Sequence, residues 1–419
     1  MASSDDSANN LINSTANSHS DTIIHQGFFA RFSVLKHPFR VFFLAAAIYA
    51  MLAVLGWAAF LLGGWQLPVG WSPLHWHSHE MLYGFVTAAI AGFILTAITN
   101  WTSAKPLQNG ALLALLCTWV AGRLAMWFAS WLPPVLVALI DLIFLLILGT
   151  YVFYVLWKND NRRNLILVLV IALLCIGNGL MHIGFISGDT QCLQIGQLLG
   201  FDLITLMIAI IAGRITPAFS GNWLRAHGHD AKRIRKWKTI EFLSIAGLAL
   251  IVILDASSAS KATLSAVALC TAIVHACRWY GWAGWLAWRA PLLWILHLAY
   301  LWLIAALVLR GLNGKVDAVG TSVWQHALGV GAIGTMILGV MTRVAVGHTG
   351  RPLALLRWGL CIYIAISIAA ITRILVAFGG VDFRFGIGLS ALAWVVAFAL
   401  FIIIYGPVLI KPRTDGKPG

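Results

Sequence analysis

Apolar runs alternate with short polar segments along nearly the whole chain. Each run holds about 20 residues, enough for a helix rising 1.5 Å per residue to cross roughly 30 Å of hydrocarbon. The pattern predicts an all-α, polytopic membrane helix bundle. Its twelve transmembrane helices are expected near 41–62, 80–99, 111–131, 134–157, 165–186, 194–214, 239–255, 262–277, 290–309, 322–341, 354–377 and 388–410.

The segments between the apolar runs are short, which excludes a separate soluble catalytic domain. The longest, about 214–238, is rich in Lys and Arg and is expected to rest on the inner leaflet. The first 24 residues are rich in Ser, Asn and Asp and predict disorder. We therefore divide the chain into a disordered cytoplasmic tail and entry segment (1–40), a membrane domain (41–410) and a cytoplasmic tail (411–419).

Charge placement gives the helices a direction. The chain is 60% hydrophobic and 10% charged, yet its formal net charge is +14. With the amino terminus in the cytoplasm, 22 of the 28 Lys and Arg residues fall on the cytoplasmic side, which obeys the positive-inside rule. The sequence thus predicts a multi-pass membrane protein with both termini in the cytoplasm. The basic charge is explained by topology and the lipid bilayer, without nucleic acid as a partner.

Three of the predicted helices end alike. The second contains Gly92-Phe-Ile-Leu-Thr96, the sixth Gly213-Arg-Ile-Thr-Pro217 and the tenth Gly339-Val-Met-Thr-Arg343. The glycines are separated by 121 and 126 residues, which matches blocks of four helices. We therefore predict three four-helix repeats in pseudo-threefold order.

Three histidines stand in five residues at the entry to the second predicted helix: His75, His77 and His79. If the helix begins at Pro73, His75 and His79 share one face and His77 points away. Closely spaced imidazoles are typical metal ligands, so all three are candidates for binding a metal. The alternative is that His75 and His77 are ordinary residues of the membrane interface.

Two further histidines are expected at the same outer level. Asn178 and His182 lie four residues apart on one face of the fifth helix, and His326 opens the tenth helix as His79 opens the second. His79, His182 and His326 are therefore candidate haem or metal ligands, and His79 with His326 could clamp a haem. The alternative is a packing role for each.

His297 is expected near the bilayer centre in the ninth helix, where an imidazole requires a partner or a cofactor. We therefore include it among the candidate cofactor ligands.

Charged residues within the apolar runs complete the candidates. Arg123 and Asp141 should meet as a buried ion pair on neighbouring antiparallel helices. Arg123 and Arg373 are alternatively candidates for binding haem propionates. Glu80 and Asp202 are candidate proton carriers or hydrogen-bond partners of ligand histidines.

At these residues the chain closely resembles the NnrS family of bacterial inner-membrane proteins, which are associated with haem, copper and the response to nitric oxide. The matching stretches are His77-Ser-His-Glu-Met81, Gly92–Thr96, Asn100-Trp-Thr102, Asn178 with His182, Gly213–Pro217, Leu296-His297 with Tyr300, and His326 through Gly347-His-Thr-Gly-Arg-Pro352. The resemblance implies a twelve-span protein with haem b and copper that protects against nitrosative stress, with nitric oxide or small nitrosyl species as partners. It identifies neither a reaction nor an electron donor.

A weaker analogy connects the chain to haem–copper oxidases, which also have twelve spans and haem ligands on the second and tenth helices. The second histidine expected two residues from His326 is absent, as is the copper-ligand pattern on the sixth and seventh helices. Nitric oxide reduction by the oxidase mechanism is therefore not predicted. A membrane oxidoreductase acting on nitric oxide, a transporter of metal or haem, and a chaperone for metalloenzymes stay open as alternatives.

Overall fold

The twelve predicted transmembrane helices are confirmed in the computed structural model, which describes residues 33–416. The predicted disordered segment 1–24 lies outside the described residues. The helices are α1 (Pro38–Gly63), α2 (Pro73–Thr102), α3 (Asn109–Trp127), α4 (Pro134–Lys158), α5 (Arg162–Ser187), α6 (Thr190–Ala226), α7 (Lys238–Ala256), α8 (Lys261–Gly281), α9 (Pro291–Leu312), α10 (Thr321–Gly347), α11 (Gly359–Ala377) and α12 (Phe383–Ile410).

Local sequence explains where many of these helices begin. A proline occupies the first turn of α1, α2, α4 and α9, where its fixed φ suits the helix and its missing N–H costs nothing. The side chains of Asp189, Ser260 and Asp382 accept hydrogen bonds from backbone N–H groups in the first turns of α6, α8 and α12. These caps replace partners that the helix itself cannot supply.

The predicted end of the sixth helix at residue 214 is wrong. α6 continues to Ala226, through Pro217, because the polar residues after Gly213 extend the helix beyond the apolar run that marked its membrane segment. The connection to α7 is therefore shorter than the predicted loop 214–238, and it includes a 3₁₀ turn at Ala231–Arg233. All other boundaries lie within seven residues of the predicted ones.

Consecutive helices pack against one another, and α12 packs against α1. α2, α6 and α10 are the most buried, with 78%, 72% and 67% of their most apolar segments inside the described protein, against 22% to 56% for the others. These are the three helices with similar ends in the sequence. The three-repeat arrangement itself stays a prediction, as does the cytoplasmic position of the termini; we call the end that carries His79 and His326 the outer end.

Two of the three inner helices contain a π-helical segment near the outer end. In α2 it spans Glu80–Phe85 and directly follows His79, while in α10 it spans Ala327–Gly334 and directly follows His326. Such segments are rare and are frequently found at functional sites. The two histidines that match in the sequence therefore also match in local structure.

Candidate metal centre

The three histidines that open α2 differ in burial. The helix begins at Pro73 as required by the prediction, so His75 and His79 share a face. His79 is fully buried, whereas His75 and His77 are half-buried. Only His79 therefore points into the interior of the bundle.

His79, Asp141 and His182 form a buried group contributed by α2, α4 and α5, which we call the histidine–aspartate cluster. The Oδ2 atom of Asp141 lies 3.2 Å from Nε2 of His79 and 3.0 Å from Nε2 of His182. The two imidazole rings stand nearly perpendicular, with their centroids 5.2 Å apart. One ligand atom from each residue thus converges on a single place.

Polar neighbours fix the orientation of these ligands. Nδ1 of His79 lies 2.7 Å from Oε1 of Glu80, and Nε2 of His79 lies 2.7 Å from Oδ1 of Asn178. Asn178 also donates from Nδ2 to Oδ2 of Asp141 at 2.8 Å. A carboxylate on the opposite ring nitrogen, as Glu80 is, is typical of the outer shell that orients a ligand histidine. Asn178 lies on the Nε2 side together with Asp141, and its contact with His79 would be replaced by a metal bound there.

Arg123 connects the cluster to a second carboxylate. Its Nη1 donates to Oε1 of Glu80 at 2.7 Å, and its Nη2 donates to Oδ1 of Asp141. The predicted ion pair of Arg123 with Asp141 is therefore confirmed. Tyr49 donates from its hydroxyl to Oε2 of Glu80. Both terminal nitrogens of the guanidinium bind the protein, and its buried Nε has no partner among the described residues.

Small residues make this packing feasible. A Cβ atom on Gly84 would lie 2.5 Å from Nη1 of Arg123, so only glycine leaves room for the guanidinium. A Cβ atom on Gly196 of α6 would lie 2.6 Å from the carbonyl oxygen of Gly177 on α5. This close approach of two backbones holds the face that carries Asn178 and His182 against the inner helices.

The formal charges and distances suit a cation. With neutral imidazoles and both carboxylates ionised, Arg123 balances only one of Glu80 and Asp141, so that a proton on Glu80 or a bound cation is needed to balance the other. Separations of 3.0–3.2 Å between ligand atoms fit two ligands bound to one ion at about 2.0–2.2 Å. Two imidazoles and a carboxylate suit copper, zinc or iron. The residues present therefore fit a metal ion.

A second histidine pair lies near the start of α10. His326 donates from Nδ1 to the carbonyl oxygen of Ser322 at 2.7 Å, which leaves its Nε2 as a ligand atom. It lies close enough to His77 and Arg373 for their charges to interact. His77 stacks on Trp57 with ring centroids 4.5 Å apart, and its buried Nδ1 has no hydrogen-bond partner among residues 33–416.

Arg373 has no hydrogen bond or carboxylate partner within the described part of the chain, so its guanidinium is available to an external acid. We call His77 and His326 the half-buried histidine pair. The structure thus places His79 in ring contact with His182, whereas His326 interacts with His77 and Arg373 only electrostatically. Whether His79 and His326 share a haem, as the sequence suggested, stays a prediction.

The profile described as NnrS protein matches residues 33–413. The chain belongs to the NnrS family. The comparison with individually curated proteins found no similar sequence. The family match covers both histidine groups and all twelve helices.

His297, another candidate of this NnrS-family chain, lies apart from both groups. Its Nε2 is hydrogen-bonded to Oγ of Ser220 at 3.0 Å, and its buried Nδ1 has no partner among the described residues. A Cβ atom on Gly284 would lie 2.3 Å from that Nδ1, so glycine gives the imidazole its space. Ser220 therefore supplies a hydrogen-bond partner for one of the two ring nitrogens of this buried histidine.

Sequence reasoning missed two features of the NnrS-family chain. Asp141 was expected to pair only with Arg123, yet it also contacts both histidines. Arg310 was not singled out, yet it binds Asp202 and Asp255 in a second buried cluster. The available signal was depth, because Asp202, Asp255 and Arg310 all lie near the outer ends of their helices.

Proposed function

We propose that this NnrS-family membrane protein binds copper and haem in its outer half and handles nitric oxide or its metal complexes under nitrosative stress. The single observation that carries the proposal is the histidine–aspartate cluster, whose three ligand atoms converge in a buried place. The family name fits the nitric oxide response. Bound copper or haem would supply a metal atom that binds nitric oxide.

The cluster supports copper through its donor set and its surroundings. His79, His182 and Asp141 are the candidate ligands, since they offer two nitrogens and one oxygen within 4.8 Å of one another. Glu80 holds His79 through Nδ1, and Arg123 and Asn178 hold Asp141. The role of these residues is to bind the ion and exclude water from it.

The half-buried histidine pair supports haem. His326 presents an uncommitted Nε2, and His77 has a buried nitrogen without a partner in the described protein. Arg373 is the candidate partner for a propionate, because no carboxylate of residues 33–416 binds it. Binding of a haem by these residues would displace no ion pair of the described protein.

The test is metal analysis and absorption spectroscopy of protein purified with haem and copper supplied. We expect one copper that is lost in His182→Ala and a haem Soret band that is lost in His326→Ala. His75→Ala is the control, because His75 is half-buried and belongs to neither group. Wild-type protein without a Soret band and without copper would overturn the proposal.

A transporter of metal or haem is the second candidate function. It is favoured by two cavities that lie between α2, α6 and α10. One of about 70 Å³ lies in the interior, and one of about 390 Å³ lies opposite the outer end, at what we call the basic end because most Lys and Arg residues are predicted there. Metal uptake into proteoliposomes would support it, and tight, stoichiometric haem and copper after purification would count against it.

A chaperone for metalloenzymes predicts copurifying partners without turnover.

A further inference from the structure

A cavity of about 390 Å³ lies at the basic end of the bundle, opposite the two histidine groups. It is bounded by the ends of α2, α6 and α10, whose similar sequence motifs the proposed function does not use. Most of its walls are apolar. They include Phe93, Ala97, Ile215, Phe219, Leu296 and Val340. A cavity of this volume falls in the range typical of sites for small organic molecules.

One side chain gives the cavity a charge. The guanidinium of Arg343 lies over the ring of Phe219, 3.9 Å from its centroid. Within residues 33–416, Arg343 has no hydrogen bond and no carboxylate partner. A ring face satisfies none of the five N–H donors in full, so a half-buried guanidinium in this position favours an anion that accepts two of them.

The rest of the polar lining agrees with an anion. No aspartate or glutamate lines the cavity, and Asn100 and His348 add side chains that have no hydrogen bond among the described residues. Arg413 lies beside the mouth and donates to the carbonyl oxygen of His348 at 2.9 Å. Burial, and then the charge of Arg413, lowers the pKa of His348, so its imidazole is neutral and offers one donor. Arg413 is itself paired with Asp415, so among the described residues Arg343 supplies the positive charge that attracts anions to this cavity.

We propose that this cavity binds an organic anion with a phosphate or carboxylate head on Arg343 and an apolar body against Phe93, Phe219 and Leu296. The guanidinium binds the head, Asn100 and His348 donate to it, and the apolar walls bury the body. The ligand can be a phospholipid of the adjacent leaflet or a small free organic anion, because both carry this chemistry. The site uses no residue of either histidine group and does not depend on copper or haem.

Native mass spectrometry of delipidated, purified protein tests the proposal with two probes, short-chain phosphatidylglycerol and phenyl phosphate. We expect wild type to bind at least one of them and Arg343→Gln to bind it at least about tenfold more weakly, with partial recovery in Arg343→Lys. Arg357→Gln is the matched control, since Arg357 also lies at the basic end but its guanidinium faces an exposed tryptophan. Ala97→Phe should weaken binding without removing charge, because the added ring occupies the apolar part.

The two probes separate the sources of the ligand. Binding of phosphatidylglycerol alone identifies a lipid site, and binding of phenyl phosphate identifies a site open to free anions. Equal binding by Arg343→Gln and Arg357→Gln, or no binding of either probe by wild type, overturns the proposal. Elution volume and thermal unfolding of each variant show that it is folded. Loss of copper or haem leaves this result unchanged, so the two proposals fail separately.

Discussion

Two arginines near the outer end each bind two buried carboxylates, but their surroundings differ. Arg123 binds Glu80 and Asp141, and two histidines and an asparagine complete that cluster. Arg310 binds Asp202, at 2.5 Å between Nη1 and Oδ1, and Asp255. Its other neighbour is the ring of Trp324, 4.4 Å from the guanidinium carbon to the centroid.

The comparison separates the part of each cluster that joins helices, the arginine with its two carboxylates, from the part that could bind a metal, the histidines. An arginine between two carboxylates holds three helices together in both places: α2, α3 and α4 in one, and α6, α7 and α9 in the other. Imidazoles beside the carboxylates occur only at the first, among the described residues. The arginine and its acids are therefore a recurring way of joining helices, and the histidines make one of them a candidate metal centre.

The largest difference is expected when each arginine is replaced. Arg310→Met leaves two buried carboxylates without a cation and should destabilise the protein by about 3–5 kcal/mol. Arg123→Met should cost less in the presence of copper, because a bound ion balances the carboxylate charge there. Thermal unfolding with and without copper measures both effects. Copper rescue of Arg310→Met, or its failure to rescue Arg123→Met, would show that the two clusters do not differ in this way.

Replacing one aspartate in each cluster sharpens the comparison. Asp141→Asn removes a ligand and should lower copper affinity by more than about 100-fold, since outer-shell changes alone cost 10–100-fold. Asp255→Asn is similar in shape and burial but should leave copper affinity unchanged. Copper titration followed by metal analysis measures the copper affinity of each variant relative to wild type. Similar losses in the two variants would contradict a site confined to the first cluster.

A smaller effect is expected at Asn178, which contacts candidate ligands but is not one of them. Asn178→Ala removes the hydrogen bond from its Nδ2 to Asp141 and should weaken copper binding by about 10-fold, by loosening that ligand. The same titration measures it. Unchanged affinity would mean that Arg123 and Glu80 orient the ligands alone.

The smallest effect is expected at Trp324. Trp324→Leu removes the ring over Arg310 and should cost about 0.5–2 kcal/mol of stability, because a cation over an aromatic face contributes that much. Trp324→Phe should recover part of the loss. Both are measured by thermal unfolding, and a loss as large as that of Arg310→Met would mean that the ring, rather than the carboxylates, holds the guanidinium.

Hydropathy and charge predicted the helices well, because each transmembrane helix is specified by its own local sequence. The Arg123–Asp141 pair was also predictable, since both residues lie at known distances from one tight turn at Pro133-Pro134. The side chains that contact His79 were harder to predict. Depth placed His79, His182 and His326 at one level, but only the rotation of each helix decides that His79 faces His182. That rotation depends on packing between helices distant in sequence.

The π-helical segments after His79 and His326 set that rotation. Each segment carries a wider turn, so the outer histidine and the inner motif of one helix are offset relative to an uninterrupted α-helix. If Glu80–Phe85 were wound as uninterrupted α-helix with the same number of residues, everything outside it would turn by about 100°, the angle of one α-helical residue. His79 would then swing away from Asp141 while Gly92–Thr96 kept its place. The wider turn therefore sets the orientation of the outer histidine independently of the inner motif, so that one helix packs against two differently oriented surfaces.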